Sequence, residues 1–209
     1  MRRIAALIAL AALAACKPAP EAPKAVEPKP LSWTGTAIVH TNTGPVEIGV
    51  ETKMTPFREA RSDTWLLTEG PERRRSLVVG EKGGWLEVNG ERTEMPEPMW
   101  RHEKQQFAIY ALMQQAIPLS ATRAGESVTL GGSAPDIPST TFRFDRGGRL
   151  IGARNVVIDP GGSPKPVNQR FRFSGRIDVA GMVWPRRIEI SQREQPYFTL
   201  QIKTITVGR

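Results

Sequence analysis

The sequence predicts a mainly β fold: a curved antiparallel sheet, or an incomplete β-barrel, of about ten strands with one long helix packed on its concave face. Three observations carry this prediction. Short runs of alternating apolar and polar residues recur along most of the chain. Turn-forming pairs rich in Gly, Asn and Asp separate these runs. A single stretch near the middle has the roughly 3.6-residue period of an amphipathic helix.

The first sixteen residues have the layout of a bacterial export signal. Basic Arg2 and Arg3 precede a twelve-residue apolar run over residues 4–15, and Cys16, the sole cysteine, follows. That run is shorter than the roughly 20 residues that a membrane-spanning helix needs. Leu-Ala-Ala-Cys at residues 13–16 resembles the lipobox of bacterial lipoproteins. The resemblance implies that Cys16 is acylated and binds membrane lipid; the alternative is an ordinary cleaved signal with an unrelated cysteine.

The composition predicts three segments in the chain. Residues 1–16 are the lipoprotein signal peptide. Residues 17–31 contain five prolines and no aromatic residue, so we expect a disordered tether of up to roughly 45 Å. Residues 32–209 then form a single domain, which is large enough to fold without a disulfide.

Several short strands are predicted before the helix. Val46, Ile48 and Val50 alternate with Glu47, Gly49 and Glu51, which is typical of a half-buried strand. Asn89-Gly90 is a strong hairpin signal, because both residues tolerate positive φ. The predicted strands are residues 36–40, 46–50, 64–68, 76–79, 85–88 and 92–95.

Residues 99–117 are predicted to form the helix. Its apolar residues share one face, and Gln114 lies on the opposite side. Gln105 and Gln106 interrupt the apolar face, so we expect the first turns to be looser or exposed. Prolines before residue 99 and at Pro118 bound the helix.

Alternating strands resume after the helix. The predicted strands are residues 127–130, 140–144, 149–158, 169–179, 183–191 and 198–207. In the last strand the apolar residues Leu200 and Ile202 occupy every second position. Ile205 and Val207 also alternate, but their positions are shifted by one residue. A slip of one residue predicts a β-bulge, which bends a strand in a curved sheet.

The helix and the C-terminal strands resemble the lipoprotein-carrier superfamily, which includes LolA-like and LolB-like proteins of lipoprotein sorting. The matching segments are residues 107–119, 169–175, 177–185, 187–191 and 198–207. The resemblance implies an incomplete antiparallel barrel, half closed by helices over an apolar cavity. It also implies that the ligand is an acyl chain or a lipoprotein.

Apolar residues on the helix face and on the C-terminal strands are the candidates for lining such a cavity. They are Ile109, Leu112, Met113, Ile117, Phe142, Phe144, Phe171, Phe173, Ile188, Ile190, Phe198 and Leu200. If the barrel is instead packed solid, the same residues are ordinary core. The protein is then a non-enzymatic envelope interaction or sensing protein with a protein partner. The sequence leaves both hypotheses open.

No residue pattern predicts catalysis, a cofactor or a metal site. His40 and His102 have no metal-ligand spacing with another His or Cys, and we expect His102 to be a surface or capping residue. Glu47 and Glu51 are a carboxylate pair on the polar face of a strand. No G-x-S-x-G motif or phosphate-binding glycine loop occurs. We therefore expect a protein that is not an enzyme.

Charge and export together constrain the partners. The formal net charge is +8, of which Arg2 and Arg3 supply two, leaving +6. A basic surface suits anionic lipid or nucleic acid, and an exported protein does not meet nucleic acid. By resemblance to enterobacterial sorting, an aspartate after the cysteine retains a lipoprotein at the inner membrane. Lys17 therefore predicts the outer membrane, with the domain facing the periplasm.

Overall fold

The structure, a computed structural model, describes residues 26–208. These residues form fourteen strands and one long helix, α1 (Glu97–Ala116). The strands before the helix are β1 (Leu31–Thr41), β2 (Gly44–Thr55), β3 (Glu59–Leu66), β4 (Arg75–Val79), β5 (Gly84–Val88) and β6 (Glu91–Glu94). Those after it are β7 (Ser127–Leu130), β8 (Thr140–Phe144), β9 (Leu150–Val157), β10 (Val167–Ser174), β11 (Ile177–Val179), β12 (Met182–Trp184), β13 (Arg187–Gln192) and β14 (Gln195–Val207).

Twelve of the strands make one antiparallel sheet, in the order β6-β5-β4-β3-β2-β1-β14-β13-β10-β9-β8-β7. The sheet is curved but not closed, so that β6 and β7 are its two edges. At its centre β1 pairs with β14, with Leu31 opposite Val207. Helix α1 connects the two edges and contacts strands from both halves of the sheet. The predicted fold class, a mainly β curved sheet with one helix, is confirmed at this level.

The fourteen strands exceed the predicted figure of about ten. Twelve segments were assigned individually, and two of these are each divided in the structure. Residues 169–179 break at Gly175, whose φ of 67° is a conformation that glycine adopts without strain. Residues 183–191 break at Pro185, which cannot donate a backbone hydrogen bond to a neighbouring strand. The short pieces β11 and β12 pair with each other in a separate two-stranded ribbon.

The bulge predicted from the phase slip in the last strand is confirmed. Thr34 pairs with Thr204, but the next residue of β1, Gly35, pairs with Ile202. Lys203 therefore has no opposite residue in β1. Because of this one-residue insertion, both Ile202 and Ile205 are buried although three positions separate them.

The predicted Asn89-Gly90 hairpin is also confirmed. The two residues join β5 to β6, and both have positive φ, 52° for Asn89 and 81° for Gly90. This backbone twist matches that of the flanking strands. Local turn chemistry therefore sets the register that pairs Val88 with Glu91.

Helix α1 begins two residues before the predicted start and ends one residue before the predicted end. The expectation that its glutamines are exposed or loosely placed is wrong, since Gln105, Gln106 and Gln114 are all buried. Gln105 Nε2 donates to the Pro135 carbonyl oxygen at 2.8 Å, and Gln105 Oε1 accepts from the Ile158 N–H at 2.8 Å. Gln105 thus satisfies the backbone of two segments that are distant from α1 in sequence.

The N-terminal end of the described chain is held against α1. The Lys29 N–H donates to Gln114 Oε1 at 3.0 Å, and Gln114 Nε2 donates to the Lys29 carbonyl oxygen at 2.7 Å. Strand β1 begins at Leu31, within the segment that the sequence assigned to the tether. The signal peptide, Cys16 and tether residues 17–25 lie outside the described residues. Among the helices of residues 26–208, none has the length and apolar character needed to cross a membrane.

Candidate ligand cavity

A cavity of about 390 Å³ lies between α1 and the concave face of the sheet, mostly under β1–β5. Its lining is largely aliphatic and aromatic. The lining residues are Trp33, Val39, Ile48, Val50, Thr52, Ser62, Thr64, Arg75, Ser76, Leu77, Leu86, Glu103, Gln106, Phe107, Tyr110, Ile190, Tyr197, Phe198 and Leu200. The volume is within the ~300–1,000 Å³ typical of small-molecule sites.

Strand and helix periods explain why these residues meet. Ile48, Val50 and Thr52 alternate along β2, so they share one face of the sheet. On α1 the lining residues lie at positions i, i+3, i+4 and i+7 from Glu103, which is one face of a helix. The cavity is therefore the space left between one strand face and one helix face.

Other clefts in the described chain are less suited to an apolar ligand. They have volumes of about 490, 760 and 680 Å³. Each is lined in part by charged side chains that are exposed to solvent, such as Lys53, Arg170 and Arg176 respectively. The cavity under α1 is the one that combines an apolar lining with only a few polar groups, the pattern expected of a ligand site.

Of the residues predicted to line a cavity, the structure places Ile190, Phe198 and Leu200 at this one. The others do not line it. All of them are buried in the hydrophobic core under the C-terminal half of α1 and the strands β8, β10 and β13. They are Ile109, Leu112, Met113, Ile117, Phe142, Phe144, Phe171, Phe173 and Ile188. That half of the concave face is close-packed, while the half under β1–β5 contains the cavity.

The sequence reasoning missed the cavity residues on β1–β5 and on the first half of α1. The alternation of Ile48 and Val50 was visible, but it did not show which face the helix would cover. The spacing of Glu103, Phe107 and Tyr110 was a usable signal, because it places an acid on the same helix face as aromatic residues.

Glu103 is the acidic group of the cavity, and it has no partner in the described chain. Within residues 26–208 its carboxyl makes no hydrogen bond and no ion pair. Burial raises the pKa of Glu103 to about 7, since an apolar setting disfavours the charged form. Burial, with a further contribution from the charge of Glu103, also raises the pKa of Tyr110 and of Tyr197 above the usual tyrosine value.

Two further polar atoms in the cavity wall are buried and unpartnered within the described residues. They are the Trp33 indole Nε1 and the Gln106 side-chain Oε1. The Trp33 ring packs on Tyr110 with centroids 4.5 Å apart and planes at 33°. In contrast, Thr52 and Ser62 on the sheet side satisfy each other through a 2.9 Å hydrogen bond between their hydroxyls. An unpaired buried polar group costs about 1–3 kcal/mol, so these atoms are unusual in a native wall.

His102 lies behind this wall, and the expectation of a surface or capping histidine is wrong: the residue is fully buried. Its Nδ1 is 2.6 Å from the Ile158 carbonyl oxygen, so Nδ1 carries the proton and donates. Its Nε2 then accepts from Gln106 Nε2 at 3.1 Å. Burial lowers the pKa of His102, against the opposing effects of the Ile158 carbonyl and Asp159. The neutral ring therefore ties α1 to the loop after β9.

The other charged residues that the sequence singled out lie away from the cavity. No cluster of His, Cys, Asp and Glu within residues 26–208 could hold a metal ion. Glu47 is exposed and Glu51 half-buried on the strand face opposite the cavity. The Arg193–Asp159 ion pair and the Arg101–Asp136 pair at 3.1 Å lie outside the cavity and connect separate parts of the chain.

Comparison with known proteins identifies the fold. No family model and no curated protein matches the sequence. A LolA superfamily protein from Nitrosomonas europaea has a TM-score of 0.51 at 8% identity, over 88% of this chain and 87% of that one. A domain from Vibrio parahaemolyticus, described as an outer membrane lipoprotein-sorting protein, has a TM-score of 0.50 at 8% identity, over 86% of each chain. The chain therefore has a LolA-like fold.

Proposed function

We propose that the protein is a membrane-anchored periplasmic lipoprotein that binds a lipid acyl chain, or another apolar ligand, under α1. The observation that carries this proposal is the apolar cavity. Protein cores are close-packed, and unfilled space loses packing contacts and destabilises the fold. A cavity of about 390 Å³ with an apolar lining is therefore best explained by a ligand that fills it.

Two independent observations support an acyl chain as the ligand. The fold is like that of proteins in the LolA superfamily and of a domain described as lipoprotein-sorting. The Leu-Ala-Ala-Cys motif before Lys17 resembles a lipobox, and anchoring through Cys16 would keep the cavity near a membrane. The outer membrane, with the domain in the periplasm, is the location that Lys17 favours.

The alternative, an interaction or sensing protein with a solid barrel, explains one half of the fold only. The core under β8, β10 and β13 is solid, but the space under β1–β5 is not. The acid in the cavity, Glu103, forms no hydrogen bond or ion pair with any other described residue, so no base or nucleophile is coupled to it. We therefore favour a binding protein over both a solid envelope protein and an enzyme.

Filling the cavity tests this function. The complete mature chain is prepared with Cys16→Ser, so that no covalently attached acyl chain competes, and is titrated with a fluorescent fatty acid. Ile48 lines the cavity and is half-buried, so Ile48→Trp should occupy its space. We expect at least a roughly tenfold loss of affinity, which corresponds to about 1.4 kcal/mol.

The matched control is Val156→Trp, on β9. Val156 is 48% exposed and lies outside this cavity, so the change adds the same indole without filling the site. Binding should be unchanged in this variant, and both variants should keep the circular dichroism spectrum of the parent. If the parent shows no uptake of the fluorescent fatty acid, and native mass spectrometry of membrane-purified protein shows no lipid, acyl-chain binding is wrong.

A further inference from the structure

We infer that the cavity selects an amphiphile whose apolar chain carries a cationic amine, and that Glu103 is the residue that binds the amine. This inference rests on the proposed function, because it names the chemical class of the ligand in the same cavity. It assigns a binding role to a residue that neither the fold nor the sequence pattern identifies.

Glu103 lies on the side of α1 that faces the sheet. It shares the cavity face of α1 with Gln106, Phe107 and Tyr110, and therefore faces the sheet. A glutamate without a structural role is normally on the solvent side of a helix, where water stabilises its charge. Here the carboxyl lines an apolar space and forms no ion pair or hydrogen bond in the part of the chain that the structure describes.

Neighbouring bases do not neutralise Glu103. Lys104, the next residue, is paired with Asp136 at 3.4 Å and donates to the Glu81 carbonyl oxygen at 3.1 Å. Arg101 is 3.1 Å from the same Asp136 carboxylate. Both cations of this helix turn are thus used outside the cavity, which leaves the acid free to pair with a ligand.

The groups that face Glu103 from the other elements are almost all uncharged. Strands β1, β2, β3, β5 and β13 contribute only apolar and hydroxyl side chains to the cavity. Strand β14 contributes Tyr197, and α1 itself contributes Tyr110. Strand β4 contributes Arg75, an exposed residue that makes no ion pair with Glu103. The cavity therefore contains one acidic group, the half-buried Glu103, while its one basic side chain, Arg75, is exposed to solvent.

One unpartnered acceptor and three aromatic rings of the wall suit an ammonium ion. An alkylammonium group has three N–H donors and no acceptor, like the lysine head group. Glu103 supplies two acceptor oxygens, and the unpartnered Oε1 of Gln106 in the same wall is a third. The rings of Phe107, Tyr110 and Tyr197 border the same space, and aromatic faces attract cations. Burial raises the pKa of Glu103, and a cation bound beside it would favour the charged carboxylate.

Three ligands with the same twelve-carbon chain test the inference: dodecylamine, dodecanol and dodecanoic acid. Each displaces the fluorescent fatty acid from the mature Cys16→Ser chain at pH 8, where the amine and Glu103 are both ionised. We expect dodecylamine to bind at least tenfold more tightly than dodecanol. Glu103→Gln should abolish this preference, so that dodecylamine and dodecanol bind the variant with affinities within about threefold of each other.

Glu94→Gln is the matched control, because Glu94 is an exposed residue on the edge strand β6 and lies outside the cavity. It should keep the full amine preference, and thermal unfolding should show that both variants are folded. Equal affinity for amine and alcohol, or tightest binding of dodecanoic acid, would overturn the inference while the cavity function stands. If no amphiphile binds, the fluorescent fatty acid included, the proposed function itself is wrong and the inference fails with it.

Discussion

Glu103 and its sequence neighbour Lys104 show how differently two adjacent charges can be placed. Lys104 reaches Asp136 and a backbone carbonyl, whereas Glu103 faces the cavity without a partner in residues 26–208. The same burial acts on nearby titratable groups in the direction that favours their neutral forms. It raises the pKa of Tyr110 and of Tyr197 and lowers that of His102. The carboxyl and phenol groups of the cavity wall are therefore mostly neutral in mildly acidic solution.

The raised pKa of Glu103 predicts a pH-dependent stability. The folded-state pKa is about 7, against a reference value of 4.5. Between these two values the folded protein binds more protons than the unfolded chain, so stability falls as pH rises through this range. The full effect is at most roughly 3 kcal/mol. Glu103→Gln removes this titration, so we expect the variant to be more stable than the parent at pH 8 by about 1–3 kcal/mol.

Urea unfolding at pH 5 and at pH 8 measures this difference. At pH 5 the parent carboxyl is mostly neutral, and the variant should then have nearly the same unfolding free energy as the parent. Glu94→Gln, on an exposed edge, keeps Glu103 and should have the same unfolding free energy as the parent at both pH values. An equal stabilisation by Glu103→Gln at both pH values would contradict the prediction, because it would not follow the ionisation of the residue.

At the scale of elements, Gln114 joins α1 to the segment before β1. Its amide makes two hydrogen bonds to the Lys29 backbone, at 3.0 and 2.7 Å. Gln114→Ala would leave the Lys29 N–H and carbonyl without these partners. A hydrogen bond contributes about 0.5–1.5 kcal/mol net, and an unsatisfied buried group costs more. We therefore expect Gln114→Ala to lower the unfolding free energy by about 2 kcal/mol.

Gln115→Ala is the control for this change, because Gln115 is the next helical residue, is only half-buried and makes no side-chain hydrogen bond in the described chain. It should alter the unfolding free energy by less than about 0.5 kcal/mol. Amide hydrogen exchange should show faster exchange at Lys29 in Gln114→Ala alone. Equal destabilisation by the two variants would mean that lost helix packing, and not the clamp on Lys29, is responsible.

Elements governed by local chemistry were predictable from the sequence, and those governed by distant partners were not. Asn89-Gly90 specifies its hairpin by the φ values that the two residues tolerate, and the phase slip before Ile205 specifies a bulge. The burial of Gln105 and Gln114 depends on loops that are distant in sequence. No helical period can show those loops, so the pattern assigned both residues incorrectly.

The same distinction applies to the candidate site. Ile190, Phe198 and Leu200 were predicted because their strands alternate clearly. Phe171 and Phe173 alternate equally well, yet they lie in the packed core. The path of α1 across the concave face decides which half of the sheet is packed and which half contains the cavity. The alternation of residues along the strands does not show that path. The sequence therefore left open whether a cavity exists, and it could not give the position of one.

At the scale of the whole molecule, the sheet order explains how one fold can hold both a solid core and a cavity. The centre of the sheet is the β1–β14 pair, which joins the two ends of the described chain. The second half of α1 packs on the C-terminal side of that centre, and its first half spans the N-terminal side. The C-terminal half of the sheet thus holds the packed core, and the N-terminal half holds the cavity. The packed half offsets the unfolding free energy that the unfilled space in the other half loses.

Membrane attachment of this molecule is predicted to depend on Cys16. In the proposed lipoprotein the acyl chains on Cys16 hold the protein, since each buried methylene contributes about 0.8 kcal/mol and two or more chains give stable anchoring. Residues 17–31 are rich in Pro, Lys and Glu and supply little apolar surface of their own. We therefore expect Cys16→Ser, expressed behind a non-lipoprotein signal, to yield a soluble periplasmic protein.

Fractionation at low and at high salt measures this prediction. The parent should stay with outer-membrane markers at both salt concentrations, while the Cys16→Ser protein should be in the periplasmic supernatant at high salt, where surface charge interactions are screened. Cys16 lies outside the described residues, and we expect the two proteins to unfold at the same temperature. If the Cys16→Ser protein still pellets with membranes at high salt, a second, apolar contact holds it. The exposed side chains Leu86 and Val88 on β5 are then the first sites to change to serine, because they form an apolar surface at the edge of the sheet beside the cavity.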